Sequence, residues 1–201
     1  RLENESLFAP LAPTHRLAFA NAYPDRFFAY SESTGRWSTT TRMCRAAGVR
    51  LRTQADLMTG AALTADLTGA AWRDRLGLDV PLLTTYEAGV RLHRLARAHD
   101  VTLLEYYLTD KAGHSRDRVR ADVVLADLDS LVAGYLDAFD PSRDLLIVTS
   151  DHGNLEDLSV KPHTRNAVPL IAMGSGASAF TAATQLPDVT PLLADLLTHR
   201  R

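Results

Sequence analysis

The chain has 201 residues, and this length allows one full domain with a small inserted subdomain. Apolar residues make up 46% and charged residues 23% of it, which excludes both a disordered segment and a fibrous repeat. Lys and Arg number 22 against 24 Asp and Glu, so a net charge of -2 argues against a nucleic-acid-binding domain and requires any anion binding to be local.

The first part of the chain carries weak secondary-structure signals. Leu17–Asn21 predicts a strand, and Thr39–Ala47 predicts a short helix. Residues 27–82 show no sustained hydrophobic period. We therefore interpret 27–82 as a small cap inserted into an α/β core that consists of residues 1–26 and 83–201.

The second half of the chain alternates helices and strands. A capping box of Thr84 and Glu87 begins a predicted helix that ends at His99, because apolar residues follow at helical spacing. The later predicted elements are a strand over 101–108, a helix over 117–139, strands over 145–148 and 168–172, and a helix over 188–199. This βαβ order predicts an α/β fold with a mainly parallel sheet and helices on both faces.

Residue types that bind metals follow or precede each of these strands. They are Asp110, His114, Asp151, His152 and His163. Ligands gather beyond the carboxyl ends of parallel strands, so we expect these side chains to converge at one edge of the sheet. Either Asp/His pair alone is better explained by a helix cap or a turn, but three such clusters together favour a metal site.

The donor set predicts the kind of metal and the number of ions. Imidazole and carboxylate donors without sulfur suit Zn²⁺ or Mn²⁺. Five ligands are too many for one catalytic ion that must keep an open coordination position. The sequence therefore predicts two divalent metal ions that share a site.

The segments that carry these residues resemble the alkaline phosphatase superfamily of metalloenzymes. They read TDKAGHS at 109–115 and TSDHGNLEDLSVKPHTRNAVPLI at 149–171. Sulfatases and nucleotide pyrophosphatases share Asp-His-Gly, but Asp-His-Gly-Asn followed by Pro-His-Thr and Asn-x-Val-Pro is more similar to the branch of cofactor-independent phosphoglycerate mutase and phosphopentomutase. The resemblance is strong from about Thr84 to the C-terminus.

The resemblance implies a role for each matched residue. It places Asp110, His114 and His163 on one metal ion, with Asp151 and His152 on the other. It also implies that three further residues orient the ligands or bound phosphate, for each of which a purely structural role is an equal alternative: Asn154, Glu156 and Thr164.

One part of the family pattern has no match in this sequence. The superfamily supplies an Asp from its first strand and a Ser or Thr nucleophile from the following helix. Neither is found at a strand end in the first half of the chain, and Ser150 is a poor substitute. We expect the nucleophile to lie upstream of Arg1, in an N-terminal part that this chain lacks. The alternative is a non-catalytic metal-binding relative that serves as an interaction module.

An arginine-rich segment lies inside the predicted cap. It spans residues 36–52, contains no acidic residue and carries five arginines: Arg36, Arg42, Arg45, Arg50 and Arg52. Guanidinium groups bind phosphate in a bidentate manner, so the segment predicts contacts with the anionic part of a substrate, chiefly through Arg36, Arg42 and Arg45. A solvated basic surface is the alternative.

Together these features predict a two-metal phosphoryl-transfer enzyme that acts on a small phosphorylated substrate. A mutase must enclose its intermediate, and residues 27–82 form a small cap, which favours a phosphatase or a mutase-like enzyme of unassigned substrate. The single cysteine, Cys44, fits a reducing compartment, and no long apolar run is present. We therefore expect a cytoplasmic protein without a membrane or nucleic-acid partner.

Overall fold

The computed structural model describes residues 6–199, which divide into two units. The first unit contains the described chain up to Leu108 and Ala126–Ala138; the second contains Thr109–Leu125 and the described chain from Phe139 onward. The strands are β1 (Leu17–Phe19), β2 (Val101–Leu103), β3 (Leu145–Thr149) and β4 (Leu170–Gly174). The α-helices are α1 (Asp25–Thr34), α2 (Thr39–Ala46), α3 (Gln54–Met58), α4 (Ala70–Leu76), α5 (Thr85–Arg97), α6 (Leu108–Ser115), α7 (Arg118–Leu136) and α8 (Val189–Thr198).

The first unit contains a parallel strand pair, as the predicted α/β fold requires. Leu17 of β1 pairs with Val101 of β2, and Phe19 pairs with Leu103. Phe19 is completely buried and belongs to the hydrophobic core beside this pair. A parallel pair needs a crossover connection, and several helices lie between β1 and β2 in the chain.

Helix α5 confirms the predicted capping box. The Thr84 hydroxyl oxygen accepts a hydrogen bond from the Glu87 backbone N–H at 3.1 Å, and the Glu87 carboxylate accepts one from the Thr84 N–H at 2.7 Å. These bonds satisfy backbone donors that a helix N-terminus leaves without partners. The local sequence therefore determines where α5 begins.

Residues 27–82 contain helices that the hydrophobic pattern did not predict. Helices α1, α3 and α4 are only ten, five and seven residues long, too short for a sustained period. Gly35 and Gly77 end α1 and α4 in the left-handed conformation, with φ of 69° and 65°. The role of this segment as a cap stays a prediction.

The second unit contains an antiparallel pair in place of the parallel pairing expected for its two strands. Leu145 of β3 pairs with Gly174 of β4, and Thr149 pairs with Leu170. No helix connects β3 to β4, so the chain lacks the usual crossover element and returns along the neighbouring strand in the opposite direction. The connection between β3 and β4 carries the predicted ligands Asp151, His152 and His163.

No helix among the described residues has both the length and the apolar composition that a membrane crossing demands. The cytoplasmic location stays a prediction.

The stability of the first unit is expected to depend on pH through Asp56 in α3. Both of its carboxylate oxygens bind the Arg50 guanidinium, at 2.7 and 2.8 Å, and one accepts a bond from the Thr53 N–H. These contacts, chiefly the one from Arg50, lower the pKa of Asp56 to about 2. Because the folded pKa lies below the unfolded value of about 3.9, the stabilisation is complete above about pH 4 and is lost as the pH falls towards 2.

Asp56→Asn is therefore expected to lower the free energy of unfolding by about 1 kcal/mol at pH 7, since water screens a pair whose arginine is largely exposed. The difference between the variant and the wild type is expected to shrink at pH 2.5. Chemical denaturation at both pH values measures this difference. The same difference at both values contradicts the assignment.

Candidate metal centre

Helix α6 carries the first two predicted ligands. The preceding strand was predicted to reach Leu108, but β2 ends at Leu103, and Asp110 and His114 lie on a helix and not in a loop. Residues four apart lie on one helical face, and the Asp110 Oδ1 atom is 3.4 Å from the His114 Nε2 atom. The spacing of these two residues is therefore that of a helical ligand pair.

Two segments of the β3–β4 connection are held side by side and carry His152 and His163. The Thr164 N–H donates to the Gly153 carbonyl at 2.9 Å, and these two residues form an antiparallel bridge. A Cβ at Gly153 would lie 2.6 Å from Oε1 of Glu156, so glycine permits this approach. As a result the rings of His152 and His163 stack, with centroids 3.7 Å apart.

Asp110, His114 and His163 bring their ligand atoms together. The Nε2 atom of His163 lies 3.1 Å from that of His114 and 3.2 Å from Oδ1 of Asp110. All three potential ligand atoms lie within 4.8 Å of one another. A tetrahedral zinc ion with bonds of about 2.0–2.1 Å separates its ligand atoms by about 3.3 Å, so the donor atoms fit one ion.

Asp151 and His152 form a second, more open group. The Nε2 atom of His152 is 3.6 Å from Oδ1 of Asp151 and 3.9 Å from Oδ1 of Asp110. The side chain of Asp151 is 82% exposed, against 35% for Asp110. The structure thus brings all five predicted ligands into one region of the second unit, and His152 lies next to both carboxylates.

A backbone carbonyl orients the ring of His114. Its Nδ1 atom lies 2.8 Å from the carbonyl oxygen of Lys161. A carbonyl oxygen only accepts, so Nδ1 carries the proton and donates, which directs the other nitrogen, Nε2, towards Asp110 and His163. The sequence does not predict this contact, because a backbone acceptor has no residue-type signature.

The buried side chain of Asn154 fixes the position of Asp110 through hydrogen bonds. Only 4% of Asn154 is exposed, and its Nδ2 group donates to Oδ1 and to the backbone carbonyl of Asp110 at 2.6 and 3.0 Å. A Cβ at Gly113 would overlap the Asn154 side chain. Gly113 therefore leaves the space in which Asn154 reaches the predicted ligand.

Glu156 joins the two segments that carry the histidines. Its carboxylate accepts bonds from the Asn154 N–H at 2.6 Å, from the Thr164 hydroxyl, and from the Asn166 side-chain amide at 3.1 Å. These bonds, with the Thr164 hydroxyl first, lower the pKa of Glu156. A carboxylate that stays ionised keeps this network intact. Asn166, three residues after His163, belongs to this network although the sequence pattern did not predict it.

The three arginines predicted to contact substrate lie in the first unit. Arg36, Arg42 and Arg45 are all exposed. Arg45 lies over the ring of Trp37 at 3.9 Å, and Arg36 donates to the Tyr30 hydroxyl at 3.3 Å. Their contact with a substrate anion stays a prediction.

Comparisons with known proteins relate this geometry to a family. Residues 77–200, more than half of the chain, match the model of the metalloenzyme superfamily. The chain is 31% identical over 123 residues to the 2,3-bisphosphoglycerate-independent phosphoglycerate mutase of Methylobacillus flagellatus, covering 56% of this chain and 24% of that protein. It is 27% identical over 145 residues to the protein of the same name from Cereibacter sphaeroides, covering 63% and 28%.

A solved structure shares the fold. The PH0037 protein from Pyrococcus horikoshii matches with a TM-score of 0.60 and 18% sequence identity, over 92% of this chain and 49% of that one. The chain spans about a quarter of the length of the curated relatives, with 24% and 28% of the first two covered. The matched residues 77–200 include every predicted metal ligand.

Proposed function

The chain belongs to the metalloenzyme superfamily, and we propose that it is part of a two-metal enzyme that transfers phosphoryl groups of a small phosphorylated substrate. The observation that carries this proposal is the meeting of Asp110, His114 and His163, whose ligand atoms lie within 4.8 Å of one another. The similarity to phosphoglycerate mutases supports phosphate chemistry over other metal chemistry.

The donor set also fits the two metal ions. Asp110, His114 and His163 would hold one ion, and Asp151 with His152 would hold the other, either Mn²⁺ or Zn²⁺. Two buried atoms near the cluster, Nδ1 of His152 and Oδ1 of Asn154, have no hydrogen-bond partner among the described residues. Buried polar atoms are usually paired, so such atoms are expected where a bound group completes a site.

The proposed phosphoryl transfer would depend on the positive charge of the two bound ions. Two bound divalent ions would stabilise negative charge on the transferring phosphoryl group and activate a hydroxyl nucleophile. His114 would bind the ion through Nε2, because its Nδ1 atom donates to the Lys161 carbonyl. Asn154 would keep Asp110 turned to the cluster, and Glu156 would keep the two histidine segments in register. The nucleophile itself, a Ser or Thr, stays a prediction.

The proposal is tested by metal-dependent hydrolysis of 4-nitrophenyl phosphate by the full-length protein. We expect turnover with Mn²⁺ or Zn²⁺, and a loss of at least about 100-fold in Asp151→Asn, because weaker changes around metal ligands already cost 10- to 100-fold. Asp157→Asn is the matched control. It removes a partly exposed carboxylate of the same connection, which accepts hydrogen bonds from the backbone and hydroxyl of Ser159.

Two outcomes contradict the proposal in different ways. Metal binding without turnover of any phosphomonoester favours the non-catalytic metal-binding module. Turnover that survives Asp151→Asn excludes this cluster as the active centre.

The finer choice between phosphatase and mutase rests on a separate measurement. The similarity to phosphoglycerate mutases favours a mutase, whereas the small predicted cap favours release of phosphate to water. Conversion of 3-phosphoglycerate to 2-phosphoglycerate without free phosphate supports the mutase, and stoichiometric phosphate release supports the phosphatase.

A further inference from the structure

A cavity in the first unit lies where β1 and β2 end. It has a volume of about 480 Å³, within the range of small-molecule sites. Asn21 and Tyr23 follow β1, Glu105 and Tyr107 follow β2, and all four line the cavity. The carboxyl ends of parallel strands are where α/β proteins usually bind ligands. None of these residues belongs to the metal cluster.

The walls of this cavity are mainly aromatic. We call it the aromatic pocket and define it by Tyr23, Phe27, Tyr30, Trp72 and Tyr107. The rings of Tyr23 and Phe27 stack with centroids 4.1 Å apart, and Trp72 is almost completely buried. Tyr30 and Tyr107 are 52% and 41% exposed. A planar ring bound here would cover aromatic surface that otherwise faces water.

Two arginines belong to the pocket wall or contact it. Arg26 lines it and is exposed. Arg36 donates from Nη1 to the hydroxyl of Tyr30, a wall residue, at 3.3 Å. Neither arginine forms an ion pair with a carboxylate among residues 6–199. Guanidinium groups bind dianions such as phosphate, so two arginines without a carboxylate partner supply the positive charge for one.

Glu105 limits where that dianion can lie. Glu105 lines the same pocket, and its carboxylate accepts a bond from the Thr40 hydroxyl at 3.0 Å. Burial, followed by the charge of Glu105, raises the pKa of Tyr23, so the Tyr23 hydroxyl stays neutral. The anionic group is therefore expected at Arg26 and Arg36, with the ring further inside.

We propose that the aromatic pocket binds a planar aromatic ligand that carries a phosphate-like dianion, with its ring against Tyr23, Phe27 and Trp72 and its dianion at Arg26 and Arg36. This inference does not rest on the proposed function, because the binding requires neither a metal ion nor turnover. It also distinguishes between two of the arginines predicted to contact substrate, since the Arg36 side chain donates to a wall residue whereas that of Arg45 lies over Trp37, which does not line the pocket.

Calorimetry on the full-length protein tests the proposal with 1-naphthylphosphonate, whose carbon–phosphorus bond resists hydrolysis. We expect it to bind at least tenfold more tightly than 1-naphthol, which has only the aromatic ring, or methylphosphonate, which has only the dianion. Arg26→Gln is expected to weaken binding at least tenfold. Arg120→Gln, which removes the same charge from an exposed position that does not line the pocket, is expected to leave it unchanged.

Two tryptophan side chains in the sequence provide a readout of position. In a spectrum of ¹⁵N-labelled tryptophan, the indole N–H signal of Trp72 is expected to move more than that of Trp37, and Trp37→Phe assigns the two signals. Asp151→Asn is expected to bind the phosphonate as the wild type does, which separates the aromatic pocket from the metal cluster.

Four outcomes would overturn the proposal that the aromatic pocket binds such a ligand. Equal affinity for the naphthyl compound and its two halves overturns the proposal, and so does full binding by Arg26→Gln that remains folded by circular dichroism. Tighter binding of 1-naphthylmethylamine than of the phosphonate assigns the pocket to cations through Glu105 and the aromatic rings, and also overturns it. Loss of binding in Asp151→Asn places the phosphonate at the metal cluster instead.

Discussion

Replacing Asp110 with Asn is expected to lower the affinity of the full-length protein for Mn²⁺ or Zn²⁺ by at least about 100-fold and to remove metal-dependent turnover. The reason is the central position of this carboxylate. Its Oδ1 atom lies 3.2 Å from Nε2 of His163, 3.4 Å from Nε2 of His114 and 3.9 Å from Nε2 of His152. The Asn amide has the shape of the Asp carboxylate but carries no negative charge, so it binds a divalent cation more weakly.

Calorimetric titration with each metal and elemental analysis of the purified protein measure this effect. The matched control is Asp122→Asn, which removes a carboxylate of α7 that pairs with Arg118 in the same unit. That change is expected to leave metal binding as it is. If Asp110→Asn retains wild-type metal content, the cluster on α6 does not hold the ion.

Replacing Gly134 with Ala is expected to destabilise the first unit, because α5 and α7 contact each other through backbone at this point. A Cβ at Gly134 would lie 2.8 Å from the carbonyl carbon of Tyr86, and one at Gly89 would lie 2.6 Å from the backbone nitrogen of Tyr135. Backbone atoms cannot rotate away as a side chain does, so the two helices must separate. We expect a loss of about 3 kcal/mol in the free energy of unfolding.

Chemical denaturation of Gly134→Ala measures this loss. Alanine has a higher helix propensity than glycine by about 1 kcal/mol, so the substitution would stabilise an unobstructed helix. Gly77→Ala is the comparison, since a Cβ at Gly77 meets nothing within 4 Å and the cost there is only that of its positive φ of 65°, about 1 kcal/mol. Stability equal to or above wild type in Gly134→Ala contradicts the close helix contact.

Local chemistry explains why much of the fold could be predicted. The capping box of Thr84 and Glu87 determines the start of α5 through bonds within four residues. The long apolar period that predicted a helix over 117–139 corresponds to α7, and the short apolar run at 145–148 corresponds to β3. The resemblance to the alkaline phosphatase superfamily, based on Asp-His-Gly-Asn and Pro-His-Thr, is confirmed by the family match over 77–200.

Other features depend on contacts that hydrophobic periodicity does not report. The apolar run at 101–108 reads as one strand, yet β2 ends at Leu103 and the chain enters α6 from Leu108. Hydrophobicity alone cannot separate a buried strand from a buried helical turn. The short helices between 27 and 82 escaped prediction for a related reason, since five to ten residues hold too few turns to establish a period.

The sequence by itself determined the fold class, the family and the set of imidazole and carboxylate donors, because residue type and local spacing specify helix caps, buried strands and ligand chemistry. Only the tertiary structure decided that His114 is oriented by the Lys161 carbonyl, that Asn166 joins the Glu156 network, and that β4 returns antiparallel to β3. These features arise from hydrogen bonds and strand pairing between segments that are distant in the chain. Which distant segments pair depends on the packing of the whole fold, because the residues next to each position do not specify the partner.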